Sequence, residues 1–310
     1  MLRRRMSALA GVLALAIGGL LAFAAPASAG GDHHSSQAVW VTVTGDGTHA
    51  SVSNNDVHPG WLTLYVNDRT SPTRGAQIVV AKMNRGYPVS RLVTDINAQL
   101  GNATPAQAAA STRDINKIAV ALGGADTFGK TPFFRSDTIW LPGDGTYYIL
   151  NTTAANGVDV VGDLEAHGRS VDAEAPDHSG TISLGNGTAD TITLRGDMPA
   201  KGTVMVRNNG DSVHLLIMNK VADGVTDAQV QTEYDNLMKG IQPTPGNDPA
   251  GLTSPPGTPS VGSDAVSPGH QSLLSYNLPK GTYLLQCFVA DSVTGIPHTF
   301  MGMHLIVHVG

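Results

Sequence analysis

The sequence is poor in cysteine, in charge and in aromatic side chains. Its 310 residues include one cysteine, 14% charged residues and 5% aromatic residues. A single cysteine excludes an internal disulfide. The net charge of −6 and the lack of a basic cluster beyond the N-terminus argue against nucleic acid or an anionic membrane surface as a partner. The sequence also lacks the GxSxG, HExxH and phosphate-loop motifs of common enzyme classes.

Long apolar runs are equally scarce, and the one that could suggest a membrane segment lies at the N-terminus. Three arginines at residues 3–5 precede an apolar run over residues 8–24, and the small residues Ala-Ser-Ala end at Ala29. This order predicts a signal peptide over residues 1–29, cleaved near Ala29, and therefore a secreted protein. An uncleaved membrane anchor is the alternative, but the apolar run is short for a span.

Small and turn-forming residues are abundant instead. The 36 glycines and 18 prolines, together with many Thr, Val and Ser residues, favour short strands and turns over helices. After a flexible tail at residues 30–38, we predict one β-domain over residues 39–172 and a second over residues 180–310. Residues 89–99 and 112–122 are predicted to be helical or irregular, and residues 226–238 are predicted to be helical. The Pro- and Gly-rich residues 240–270 predict a long surface loop without regular structure.

The two halves resemble an internal repeat. The segments GWLTLYVND and LPGDGTYYILN of the first half correspond to GTVMVRNNG and LPKGTYLLQC of the second. Aligning their glycines pairs four residues of the first half with four of the second: Ala76 with His214, Asn151 with Cys287, Val158 with His298 and Asp163 with Met303.

The single cysteine lies in a segment that also carries a histidine and a methionine. Cys287, His298 and Met303 offer a thiolate, an imidazole and a thioether, the ligands of a mononuclear copper site with a weak axial methionine. Such a site needs a second imidazole from a distant strand, and His214 offers one. Taken singly, each of these residues is more typical of a core or loop position.

Two stretches carry a family resemblance. NNGDSVH around His214, and GTYLLQC followed by PHTFMGM, resemble the ligand strands and the ligand loop of the cupredoxins, the blue-copper proteins. The resemblance covers roughly residues 190–310. It implies a Greek-key β-sandwich, one type 1 copper ion held by His214, Cys287, His298 and Met303, and a redox partner protein. It also implies that Asn209 hydrogen-bonds the ligand loop.

The sequence departs from plastocyanin in one respect, because the ten residues 288–297 separate Cys287 from His298 where plastocyanin has a very short gap. We therefore predict an all-β chain of two Greek-key, cupredoxin-like β-sandwich domains with short helical insertions, the first without copper ligands. Gln286 and Phe288 flank the cysteine and no HxH or HC motif occurs, so the chain is expected not to be an enzyme.

Three functions remain open on the sequence. The first is electron transfer through a copper ion. The second is a metal-free secreted β-sandwich protein with a binding or structural role. The third is copper delivery or storage, helped by His33 and His34 in the N-terminal tail, although a tail without such a role is the simpler expectation.

Overall fold

A computed structural model describes residues 37–70, 75–101, 103–127, 134–169, 174–244, 248–252 and 260–310. The predicted signal peptide and the histidines at residues 33–34 lie outside these residues. Among the described residues, no helix is long and apolar enough to cross a membrane.

The first half of the chain forms nine strands and two helices within residues 37–166. Its strands alternate as a half-buried sheet requires: Val39, Val41 and Val43 are buried and the residues between them are more exposed. The strands are β1 Gln37–Gly45, β2 His49–Val52, β3 Asp56–Val57, β4 Gly60–Thr70, β5 Ile78–Met83, β6 Ala119–Ala121, β7 Phe134–Leu141, β8 Gly145–Asn151 and β9 Asp159–Ala166, and the helices are α1 Val89–Leu100 and α2 Pro105–Ile118.

The described residues of the second half form eight strands and one α-helix within residues 180–309. Helix α3 begins at a capping box, in which Thr226 and Gln229 satisfy each other's backbone N–H groups. The elements are β10 Gly180–Gly187, β11 Ala189–Gly196, β12 Lys201–Gly210, β13 His214–Lys220, α3 Asp227–Met238, β14 Ser260–Val266, β15 Gln271–Asn277, β16 Gly281–Gln286 and β17 His304–Val309.

These strands make three sheets. Four strands in the order β14-β13-β16-β17 belong to the second half, and five in the order β3-β9-β8-β5-β6 belong to the first. The third sheet has eight strands in the order β11-β10-β12-β15-β7-β4-β1-β2 and runs through both halves. The predicted fold class, all-β with two sandwiches and short helical insertions, is confirmed.

The strand order repeats between the halves. In the first half β1 pairs antiparallel with β2 and parallel with β4, and in the second β10 pairs in the same two ways with β11 and β12. The likeness extends to β5-β8-β9 and β13-β16-β17, which pair in the same order. The predicted boundaries at residues 172 and 180 stay a prediction, because one sheet is continuous across them.

The halves meet along two antiparallel contacts. β7 pairs with β15 through Ile139–Ser272, Thr138–Leu273 and Asp137–Leu274. The segment after β6 pairs with β14: Gly123 N donates to Ala265 O over 2.8 Å and Ala125 bridges Ser263. A core of buried residues extends from the second sandwich to Val79, Leu150 and the helices of the first half.

Two expectations about local structure need correction. Residues 240–270 are not wholly irregular, because β14 lies within them and is largely buried between β13 and the first half. The strand is hard to recognise in the sequence Ser260-Val261-Gly262-Ser263, because most of these residues are small. Small residues fit where another backbone approaches closely. The second helix spans Pro105–Ile118 rather than residues 112–122, because Pro105 follows an N-cap at Thr104 that sequence inspection overlooked.

The packing of the segment after β6 against β5 can be tested at Gly124. A Cβ at this position would overlap the carbonyl oxygen of Ile78, which belongs to the strand beneath it. We expect Gly124→Ala to lower the free energy of unfolding by about 1–3 kcal/mol through overpacking, measured by chemical denaturation. Gly143→Ala is the control, because a Cβ at Gly143 meets open space. Equal stability of the two variants would contradict the described packing of this segment.

Candidate metal centre

Paired strand ends bring the four predicted ligands to one end of the second sandwich. His214 is the first residue of β13, and Cys287 follows the last residue of β16, the strand paired with β13. Gln286 is paired with His304 of β17. Cys287 directly follows Gln286 and Met303 directly precedes His304, so both ligands lie next to this pair. His298 begins a short 3-10 helix, His298–Met301, which leads into β17.

Three ligand atoms converge in the interior. His214 Nδ1 lies 3.2 Å from His298 Nδ1, and Cys287 Sγ lies 3.8 Å from the first and 3.7 Å from the second. All three residues have a relative exposure of 0%. The two imidazole rings meet edge-on, with centroids 4.7 Å apart and an interplanar angle of 62°. The two imidazole nitrogens and the thiol sulfur therefore face one point.

This arrangement fits a transition metal. Metal–nitrogen bonds of about 2.0–2.1 Å and a metal–sulfur bond of about 2.3 Å, as zinc makes, separate nitrogen from sulfur by about 3.8 Å in a trigonal plane. The observed sulfur–nitrogen distances are 3.8 and 3.7 Å. A thiolate with two imidazoles and a methionine near them is the donor set that suits copper.

Burial keeps all three groups neutral in the metal-free protein. It raises the pKa of Cys287 to about 12, although the backbone N–H groups of Leu215 and Val289 oppose the shift. It lowers the pKa of His214 to about 3, with a smaller contribution from His298. Burial also lowers the pKa of His298, against the opposing charge of Asp190. A thiolate here would need a bound cation to compensate its charge.

The two methionines of the ligand loop differ in their surroundings. Met303 is 0% exposed and belongs to the same buried cluster as Cys287. Its backbone N–H donates to His298 O over 3.0 Å, and it follows Gly302, whose φ of 102° turns the chain into β17. Met301 is 45% exposed, and its sulfur accepts a hydrogen bond from Thr294. Burial thus favours Met303 over Met301 as an axial ligand.

The long segment between Cys287 and His298 folds back on itself. Ala290 and Pro297 form a bridge, and Gly295 N donates to Asp291 O at the tip of the hairpin. His298 N donates to Val289 O over 2.9 Å. The ten residues between Cys287 and His298 therefore fold into a hairpin, and the hairpin returns His298 to the side of Cys287.

Helix α2 of the first half contacts this site from outside. Thr112 Oγ1 donates to Ala290 O over 2.8 Å, in the hairpin. Asn116 Oδ1 accepts from Val213 N over 2.9 Å, one residue before His214. The helix thus contacts both chain segments that carry the imidazoles, which gives the ligand-free half a structural part in the site.

The asparagine that is buried next to the site is Asn208, and not Asn209, the residue predicted to hydrogen-bond the ligand loop. Asn209 is exposed, whereas Asn208 is fully buried. Asn208 Nδ2 donates to Ser212 O over 2.8 Å and to Val266 O over 2.6 Å, which fixes the turn before His214. The alternation of β12 carries the signal, because Val204 and Val206 point inward and the next inward position is residue 208.

Sequence reasoning missed three residues beside the imidazoles. Asp190 of β11 lies 3.7 Å from His214 Nε2 and 3.7 Å from His298 Nε2. A Cβ at Gly185 would come within 3.2 Å of His214 Nε2, and one at Gly210 within 2.7 Å. Both glycines leave the space that the ring of His214 occupies.

The corresponding positions in the first half hold no such group. Asn151, aligned with Cys287, is fully buried and its Oδ1 accepts from Gln77 N over 3.2 Å. Ala76, aligned with His214, donates its N–H to Thr127 Oγ1 over 2.7 Å. Within the described part of the chain, the groups of His, Cys, Asp and Glu residues that could hold a metal ion all lie in the second half.

The solved structures that are similar to the chain include copper proteins. No protein-family model and no curated protein sequence matches the chain. Among solved structures, dithionite-reduced auracyanin from Roseiflexus castenholzii is 19% identical, with 42% of this chain and 94% of that chain covered and a TM-score of 0.25. Auracyanin B is 22% identical, with 45% and 94% covered and a TM-score of 0.25.

Larger structures match over more of the chain. The McoA multicopper oxidase of Aquifex aeolicus is 11% identical, covers 88% of this chain and is itself covered over 65%, with a TM-score of 0.24. Multicopper oxidases are enzymes, so this comparison contradicts the expectation that the chain is not an enzyme. The lack of HxH and HC motifs, on which that expectation depended, does not decide the question.

The contact between α2 and the hairpin yields a prediction. Thr112→Val keeps the shape of the side chain but leaves the buried Ala290 carbonyl without its donor, so we expect a loss of about 1–3 kcal/mol in the free energy of unfolding. Hydrogen exchange of residues 288–297 should accelerate with it. Thr232→Val is matched, because Thr232 is exposed and its hydroxyl donates within its own helix, to Ala228 O. An effect of equal size in both variants would contradict the bracing role of α2.

Proposed function

We propose that the chain binds one copper ion in a type 1 site formed by His214, Cys287, His298 and Met303, and that it transfers single electrons to a partner protein outside the cell. The observation that carries the proposal is the convergence of two imidazole nitrogens and one thiol sulfur within 3.8 Å, all fully buried. Copper would supply the one-electron change between its two oxidation states.

The protein's part in this chemistry is to hold the ligands still. His214 and Cys287 sit at the ends of two paired strands, and His298 is tied to Val289 by a backbone hydrogen bond. A rigid set of this kind suits both oxidation states, so little rearrangement accompanies electron transfer. Buried backbone N–H groups at Leu215 and Val289 are directed at the sulfur and would stabilise a thiolate there.

Complete burial of the ligands favours electron transfer over copper delivery. A delivery or storage site must release its ion, which requires that a competing ligand reach it. The ligands His214, Cys287 and His298 are each 0% exposed, and so is Met303. The buried set therefore favours a resident ion over an exchanging one.

The first test is the visible spectrum after addition of Cu(II). We expect an intense thiolate-to-copper band at one copper per chain, and its loss in Cys287→Ser, because no other thiol exists in the sequence. His308→Asn is the control, because His308 is exposed on β17. A colourless wild-type protein that binds no copper would favour the metal-free alternative, a secreted β-sandwich with a binding or structural role.

The second test compares the two methionines. Removing a weak axial donor favours Cu(I), so Met303→Leu should raise the reduction potential of the bound copper while the blue band persists. Met301→Leu should leave the potential unchanged, because that side chain is at the surface. The measurement is redox titration of both variants. A shift in Met301→Leu alone would reassign the axial position.

A further inference from the structure

The outer nitrogens of the two imidazoles lie in an unusual environment. His214 Nε2 and His298 Nε2 are both buried away from water, and neither has a hydrogen-bond partner within 3.5 Å. A buried N–H without an acceptor loses its hydrogen bond to water and gains none in return, which is destabilising. In metal sites the ring nitrogen opposite the metal usually donates to a carboxylate, a carbonyl or a water. These two nitrogens therefore need an acceptor.

One carboxylate lies against both. Asp190 Oδ1 is 3.7 Å from His214 Nε2, and Asp190 Oδ2 is 3.7 Å from His298 Nε2. Each oxygen thus faces a different ring, at a separation that a movement of less than 1 Å turns into a hydrogen bond of about 2.8–2.9 Å. The Asp190 side chain is itself only 20% exposed.

Local structure explains why an acid is here. Asp190, Ile192 and Leu194 share one face of β11, and Ile192 and Leu194 belong to or pack against the core. Asp190 therefore continues the inward face of its strand, where an apolar residue would be expected. A bulge between Leu184 and Asn186 carries the β10–β11 hairpin to this end of the sandwich.

The other nearby acid is already engaged. Asp291 Oδ1 accepts hydrogen bonds from the backbone N–H of Thr294, from its hydroxyl and from Val293 N, which shapes the tip of the hairpin. Asp211 contributes only through its charge, and it is exposed after β12. Of these acids, Asp190 is the one whose two carboxylate oxygens face the Nε2 atoms of both rings in the described residues.

We propose that Asp190 is a positioning residue that accepts the Nε2–H of both His214 and His298 and so holds both rings as the tautomer whose Nδ1 is free for the metal. A neutral imidazole carries one N–H, so a proton fixed on Nε2 leaves the lone pair of Nδ1 directed at the metal position. Because one carboxylate serves two rings, it also fixes their mutual angle. The inference rests on the proposed copper site.

The first experiment uses the metal-free full chain and does not depend on copper. Long-range ¹H–¹⁵N correlation spectra report which nitrogen of each histidine carries the proton. We expect both rings in the Nε2–H form in the wild-type protein, and a mixture of tautomers for at least one ring in Asp190→Asn, whose amide offers one acceptor instead of two. Asp190→Glu should restore the Nε2–H form in part. Unchanged tautomers in Asp190→Asn would overturn the proposal.

The second experiment uses the copper-loaded chain. Asp190→Asn should weaken Cu(II) binding by roughly 10- to 100-fold in competition with a chelator, the usual cost of losing such a partner. Each tenfold loss confined to Cu(II) raises the potential by about 59 mV. The hyperfine splitting in the electron paramagnetic resonance spectrum should change with the ring angle.

The matched control is Asp211→Asn, which removes the same charge nearby without touching either ring. Equal changes in affinity and spectrum for Asp190→Asn and Asp211→Asn would overturn the positioning role, because they would mean that Asp190 acts only through its charge. Failure of the wild-type chain to bind copper would instead refute the proposed function, and the tautomer experiment would still decide the role of Asp190.

Discussion

The continuity of one sheet through both halves of the chain is the constraint on which the rest of the structure depends. The pairing of β7 with β15, and of the segment after β6 with β14, fixes the first sandwich against the second. Only with the halves in this relation can α2 reach the residue before His214 and the hairpin after Cys287. The ligand-free half is therefore part of the scaffold around the candidate metal centre.

Exclusion of water is the second theme of the site. Cys287 and both imidazoles are buried in a core cluster, where a lone thiolate or imidazolium would be costly. The same burial keeps these groups neutral without a metal and leaves their converging lone pairs without water. A bound cation would satisfy those lone pairs. Polar groups at this end face specific neighbours rather than solvent. Asn208 donates to Ser212 O, and Asp190 lies against the ring of His214.

Sequence alone predicted the fold class, most strands and the segments that meet at the site, because alternation and turn residues act locally. It singled out Asn209, whereas the inward positions of β12 identify Asn208 as the buried asparagine. It missed β14, whose small residues suit close backbone contact rather than a recognisable strand pattern. Asp190 could not be connected with His214, because their contact depends on how the β10–β11 hairpin lies over the sandwich.

The contact between α2 and the hairpin ties together residues as far apart as Thr112 and Ala290, which are 178 positions apart in the chain. A gene segment that encoded only the second half would inherit every candidate ligand without the helix that holds their loop. Substitutions on the facing side of α2 therefore act on the candidate metal centre, although they lie in the half of the chain that holds none of its candidate ligands.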